Sequence, residues 1–152
     1  MVNTTDHDWE TWGQKDPYFG VLTDEKFRAH NITEATKLDF FESGSIHIEH
    51  VLSVCRKHFD PDFIPKRVLD FGCGVGRLVI PLSETASEVV GLDISTAMLK
   101  EADRNCKKHN IENVQLLRSD DTLSALKGEF DYIHSFITLQ HIAAYRGNRI
   151  FL

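Results

Sequence analysis

The sequence predicts an α/β protein, a parallel sheet with helices on both faces. From residue 66 onward, short apolar runs alternate with helical patterns. Each run is apolar throughout, as a strand buried on both faces requires. The first run ends in Gly72-Cys73-Gly74-Val75-Gly76, a glycine-rich turn of the kind that serves ligands at the carboxyl edge of an open sheet. Right-handed crossovers fix the handedness.

Residues 1–42 differ in texture from the rest. Trp9, Trp12, Tyr18 and Phe19 sit among charges with no sustained period, and Asp16-Pro17 marks a turn. Thr23-Asp24-Glu25 opens a short helix through Phe27. The segment reads as a cap on a domain formed by residues 43–152. Ser43-Gly44-Ser45 offers caps for a helix whose apolar stripe is Ile48, Val51, Leu52, Cys55 and Phe59, and Asp60-Pro61 ends it.

Arg67 to Phe71 is the first strand. Arg77 to Ala86 is helical, with Pro81 marking a late start or a kink. Val89-Val90-Gly91-Leu92 forms the second strand, which Asp93 ends. Ser95 caps a helix with Met98, Leu99, Ala102 and Cys106 on one face, and Asn110 suits its end. Asn113 to Arg118 is the third strand, Thr122 to Leu126 a helical turn, and Phe130 to Ser135 the fourth strand. Ile137 to Ala144 starts another helix.

A chain of 152 residues allows one domain with a real core. Hydrophobic residues at 41% and charged residues at 26% exclude a disordered chain. No apolar run approaches the roughly 18 residues that span a bilayer, so no membrane partner is expected. Met1 to Glu10 lacks the basic start and apolar centre of a signal peptide. Cys55, Cys73 and Cys106 are an odd count without Cys-x-x-Cys spacing, which suits a reduced, cytoplasmic chain. The net charge of −6 argues against wholesale nucleic-acid binding. His47-Ile48-Glu49-His50 does not match zinc spacing, and no metal is expected.

Spacing in the glycine turn discriminates between ligands. A dinucleotide fingerprint is Gly-x-Gly-x-x-Gly, whose helix start receives a pyrophosphate. Here Gly76 comes one place early, and Arg77 follows. Asp70 precedes the first glycine by two. A carboxylate repels a pyrophosphate and favours an ammonium or sulfonium group. Asp93 can accept both hydroxyls of an unphosphorylated ribose, or cap the following helix. Asp120 follows the third strand, where a carboxylate can accept from an adenine amino group; Asp121 competes for that place, and either can cap the turn at Thr122.

Asp70-x-Gly72-x-Gly74-x-Gly76, Asp93, Asp120 and Phe130-Asp131-Tyr132-Ile133-His134-Ser135 resemble the successive motifs of class I S-adenosylmethionine-dependent methyltransferases. The resemblance covers roughly residues 45–145. It implies a Rossmann-like sheet beginning in order 3-2-1-4 and a small-molecule methyl acceptor, with S-adenosylhomocysteine as the spent cofactor. It implies that Asp70, Gly72 and Gly74 hold the methionine end, with Cys73 and Gly76 in the same loop. Asp93 would hold the ribose, Ile94 and Met98 would flank adenine, and Asp120, with Ser119 and Asp121 beside it, would meet the amino group. The backbone near Ser135 would lie beside the sulfonium. The stretch holding Trp12, Tyr18 and Phe19 is similar to the leading segment of some bacterial small-molecule methyltransferases, where it would cover the cofactor.

A full class I core has seven strands, and this chain reaches the fourth. That leaves strand four as an open edge, inviting self-association, and uncovers Phe136 and Leu139. His141 is the candidate general base, with a hydrogen-bonded structural histidine as the alternative. His134, within a strand, reads as a packed or polar-satisfied residue. Two further readings stay open: a cofactor-holding module without activity of its own, and a nicotinamide-dependent oxidoreductase.

Overall fold

The computed structural model describes residues 4–151. Four strands, β1 (Arg67–Phe71), β2 (Glu88–Asp93), β3 (Val114–Arg118) and β4 (Tyr132–His134), form one sheet in the order β3-β2-β1-β4. All pairings are parallel, with Val68 beside both Val89 and Tyr132. The chain leaves β1 towards β2 on one side and later crosses to β4 on the other. A crevice therefore opens above the carboxyl end of β1, the switch point where such sheets bind ligands.

Helix α4 (Val79–Thr85) carries Pro81 in its first turn, so of the two expectations the late start holds. Helix α5 (Thr96–Lys108) is capped by Ser95, whose hydroxyl oxygen accepts from the Met98 N–H at 3.1 Å, and Asn110 beyond it takes a left-handed φ of 54°. Helix α3 (Glu34–His58) corrects the expected boundary at residue 43. Thr33 and Thr36 form a capping box, so the helix starts well before Ser43. Inside it, the Ser43 and Ser45 hydroxyls donate to the carbonyls of Phe40 and Phe41 instead of capping. Gly44 is there because α3 crosses the glycine turn closely: a Cβ would lie 2.2 Å from the Arg77 carbonyl oxygen.

The segment without a visible period forms α1 (Thr4–Lys15) and α2 (Pro17–Val21), then a 3-10 turn (Glu25–Phe27) capped by Asp24, where a short helix was expected. Glu10 anchors α1 on the start of α5. Its carboxylate accepts from the Ser95 hydroxyl at 2.9 Å and the Ala97 N–H at 3.2 Å. A negative charge at a helix N-terminus is favourable. Burial pushes the Glu10 carboxyl up, but the hydrogen bonds from Ala97 and Ser95 outweigh it and hold it below the usual range. Tyr18, Phe27, Phe40 and Phe41 pack edge-on between the segment and α3, with ring centroids 5.1 to 5.3 Å apart for the closest pairs.

One sheet face, with Val68 and Val89, packs against α3, α4 and α5. The other, with Leu69, Phe71, Val90 and Leu92, is covered by Leu123, Leu126, Phe130, Ile142 and Ile150. Three expectations here need correction. Residues 122–126 form turns and no helix, because the Asp120 side chain takes up the local N–H groups. β4 is only Tyr132–His134. The last helical stretch is a 3-10 turn (Leu139–His141) followed by α6 (Ala144–Phe151). Phe136 and Leu139 are exposed, at 40% and 50%, as the short sheet implied. No helix among the described residues is long and apolar enough to cross a membrane.

Gly44→Ala should destabilise the fold by about 1–3 kcal/mol through overpacking, against the helix preference of alanine. Chemical denaturation measures it, and an unchanged or raised midpoint would contradict the close crossing.

Candidate functional site

A cavity opens at the switch point, between the carboxyl ends of β1 and β2 below and α1 and α6 above. Its floor includes Phe71, Gly72, Gly74 and Leu92. The turn is pinned to the neighbouring strand: the N–H groups of Gly72 and Cys73 both donate to the Leu92 carbonyl, at 2.7 and 3.0 Å. Gly72, Gly74 and Gly76 all have positive φ, which L side chains disfavour. A Cβ on Gly72 would lie 2.2 Å from the Thr138 hydroxyl oxygen, and one on Gly74 would lie 2.7 Å from Val21. The missing side chains thus admit the close approach of two other cavity-lining residues.

Asp93 joins the turn to α5. One carboxylate oxygen accepts from the Gly74 N–H at 2.8 Å and the other from the Ser95 N–H at 2.9 Å. It therefore caps and lines the cavity at once. Burial pushes its pKa up to about 6, the hydrogen bonds from Ser95 and Gly74 oppose this, and the charge of Asp70 adds to it. Ile94, Met98 and Ser119 line the same wall.

Asp120 and Asp121 also line the cavity, but with committed side chains. Asp120 accepts from the Thr122 hydroxyl, from the N–H groups of Thr122 and Ser124, and from the Ser124 hydroxyl. These bonds, the Ser124 hydroxyl foremost, hold its carboxyl well below the usual range. Asp121 accepts from the Arg146 Nε at 2.8 Å.

The roof is built from both ends of the described chain. Arg146 on α6, 8% exposed, donates to Asp6 on α1 at 2.6 Å and to Asp121. The Asp121 and Asp6 carboxylates raise its pKa above its ordinary value. His141 lines the cavity and meets Trp9 edge-on, with ring centroids 5.1 Å apart. Around the cavity the aspartates Asp6, Asp93, Asp120 and Asp121 face one arginine, so its potential is negative.

Seven of the expected site residues do not line the cavity. Tyr18 is 4% exposed, and its hydroxyl hydrogen-bonds Glu101 at 2.8 Å and Asn105 at 3.0 Å, which ties it to α5. Trp12 packs on Phe19, which lies under the Arg28 guanidinium at 3.3 Å. Of the segment's four aromatics expected as a roof, Trp9 lines the cavity and these three do not; Thr5, Asp6, Gly20 and Val21 line it beside Trp9. Helical phase decides this: Trp9 lies on the face of α1 that meets the cavity, and no period in the sequence marked that face. Cys73 is buried with its thiol pushed up by burial, and Gly76 packs on Ala102. The Ser135 hydroxyl donates to the Phe71 carbonyl at 3.0 Å. Asp70 is 2% exposed and meets His134. Arg146 and Asp6 carried no motif; a long-range pair between chain ends has no local signature.

The sheet order and the switch-point cavity define a Rossmann-like domain. Residues 68–151 match the family model described as a methyltransferase domain, and the chain belongs to that family. The structure of phosphoethanolamine N-methyltransferase 1 from Haemonchus contortus, solved with phosphoethanolamine and S-adenosylhomocysteine, superposes with a TM-score of 0.69 at 16% identity, covering 97% of this chain and 28% of that one. Magnesium protoporphyrin IX methyltransferase (ChlM) from Synechocystis PCC 6803, with bound SAH, superposes with a TM-score of 0.65 at 22% identity, covering 97% of this chain and 64% of that one. These likenesses show the fold. The 23S rRNA (uracil(1939)-C(5))-methyltransferase RlmD of Alkalilimnicola ehrlichii is 38% identical over 60 residues, 40% of this chain and 14% of that protein. The chain spans less than a quarter of the length of such curated relatives.

A carboxyl-detected NMR titration should place the Asp93 midpoint near 6, against an ordinary 3.8. The folded state then holds this proton to higher pH than the unfolded chain does. Asp93 ionisation therefore costs stability as pH rises between those two values. A midpoint at the ordinary aspartate value would contradict the burial.

Proposed function

We propose that the chain holds S-adenosylmethionine and serves in-line methyl transfer to a small-molecule acceptor. The observation that carries this is the negative cavity above a glycine turn with a buried carboxylate at its root. Such a site favours a cationic ligand and disfavours a diphosphate. The residues present fit the group. Asp70 Oδ2 is buried without a hydrogen-bond partner and can accept from an ammonium group. Asp93 keeps lone pairs for ribose hydroxyls beyond its two backbone bonds. Ile94 and Met98 supply apolar walls for a base. Asp120 keeps a lone pair on Oδ2 for an amino group, whereas Asp121 is taken by Arg146.

S-adenosylmethionine, when bound, supplies a methyl group on a cationic sulfur. The chain's own residues then have to align donor and acceptor and exclude water. Gly72 and Gly74 shape the turn, with Cys73 and Gly76 supporting it from within and Ser135 tying the β4 loop to β1. Trp9, Val21 and Arg146 close the roof. His141 is exposed and lines the cavity, and in this reading it would take a proton from a hydroxyl or ammonium acceptor.

The kinship with rRNA methyltransferases favours a second reading, a nucleic-acid acceptor. The net charge of −6 and the negative cavity mouth weigh against it, because phosphate backbones need cationic surfaces. The unpaired edge of β4, with Ile133 62% exposed, is where a second copy would pair. The three free cysteines suit a reducing, cytoplasmic compartment.

Incubation with methyl-labelled S-adenosylmethionine and a panel of amines, phenols, carboxylates and rRNA tests the acceptor. Label in a small molecule and not in rRNA is expected, and the reverse would contradict the proposal. Asp93→Ala should weaken S-adenosylhomocysteine binding by about 1–3 kcal/mol through lost charged hydrogen bonds. Calorimetry measures this, and unchanged affinity would remove Asp93 from the site.

A further inference from the structure

Three side chains from three elements form a hydrogen-bonded row beside the glycine turn. Asp70 on β1 and His134 on β4 are register partners, and His134 Nδ1 lies 3.2 Å from Asp70 Oδ1. His134 Nε2 lies 3.1 Å from Nε2 of His47 on α3. Asp70 and His134 are 2% and 7% exposed. An ionised carboxylate can only accept, so Nδ1 of His134 carries the proton and donates to Asp70. A neutral His134 then offers Nε2 as an acceptor, and His47 Nε2–H donates to it. The row has one consistent direction, from His47 through His134 to Asp70. Burial foremost, with the Arg77 charge adding to it, lowers the His47 pKa, which keeps His47 neutral as the row requires.

Charged and aromatic groups enclose the row. Arg77, after the turn, faces both Asp70 and His47 and bonds the Ser43 hydroxyl at 3.2 Å. Asp93 on β2 faces Asp70, and His50 faces His47 from the same helix. The Phe136 ring lies 4.2 Å from the His47 ring. Within this enclosure Asp70 Oδ2 is left without a partner. A buried carboxylate with one oxygen unpaired is costly unless something else binds there.

We propose that His134 and His47 are positioning residues for the donor site. They fix the Asp70 carboxylate through Oδ1 and leave Oδ2 to accept from a primary ammonium group at the aminoacyl end of the ligand, directly or through one water. This rests on the reading of the cavity as an S-adenosylmethionine site. None of the three lines the cavity: Asp70 lies two residues before Gly72, which does, and both histidines act through Asp70. A hydroxyl or amide could satisfy Oδ1 equally well. Only an imidazole links α3 to β1 through nitrogens at two corners of one ring.

Long-range nitrogen–proton NMR of the ligand-free chain at neutral pH reads the row directly. His134 should be the Nδ1–H tautomer and His47 the Nε2–H tautomer. His134 protonated on Nε2 alone, or on both nitrogens, would overturn the proposal. Calorimetry with S-adenosylhomocysteine gives the second readout. His134→Phe should lose about tenfold in affinity, the size of one lost charged hydrogen bond. His134→Asn, whose amide can replace the Nδ1–H, should stay within about threefold of the parent. If His134→Phe fails to fold, His47→Gln, which should lower affinity, and the tautomers decide. Parental affinity in folded His134→Phe and His47→Gln overturns this inference alone. Absence of binding by the parent overturns the cofactor reading and this inference together.

Discussion

The structure depends on how the turn after β1 is fastened to β2. The N–H groups of Gly72 and Cys73 share the Leu92 carbonyl, and the Gly74 N–H reaches the Asp93 carboxylate. Three successive amides are thereby held at the edge of the sheet, in positive-φ geometry at the two glycines. The turn cannot drift from β2 without stranding buried donors. The floor of the cavity takes its position from this fastening. Asp93 is fixed from the turn on one side and from the α5 cap on the other. Asp70, Gly72 and Asp93 are thus set in one frame before any ligand arrives.

The roof is fastened by charge. Glu10 seats α1 on the N-terminus of α5, and Arg146 joins α1 to the loop after β3 through Asp6 and Asp121. Arg146 is well buried, so removing one carboxylate would leave a poorly compensated charge, which costs more than a surface ion pair. Because Arg146 is occupied by two carboxylates, the cavity keeps its negative character. In the proposed reading, that character would favour a sulfonium-bearing ligand over a dinucleotide at the level of electrostatics.

The sheet was legible in the sequence because its signals are local and redundant. The apolar run Val89 to Leu92, the Ser95 cap and Asn110 each pointed to the element that forms. Where the expectations missed, a distant contact outweighed a local pattern. Ser43-Gly44-Ser45 looks like a helix start, yet Gly44 serves the crossing with Arg77 in mid-helix. Tyr18 looks like a roof residue, yet Glu101 and Asn105 draw its hydroxyl to α5. Asp120 kept its place at the cavity, but its own turn claims most of its hydrogen-bonding capacity. His134 reads as a packed or polar-satisfied strand residue, and it is hydrogen-bonded; the sequence could not show that His47, far away in the chain, would be one of its partners.

If this turn accommodates a cationic amino-acid nucleoside and has no place for a pyrophosphate, NAD cannot compete for it. The most direct measurement is a displacement titration, with NAD added to protein saturated with labelled S-adenosylhomocysteine. The label should stay bound through a large excess of NAD. Stoichiometric displacement by NAD would contradict it.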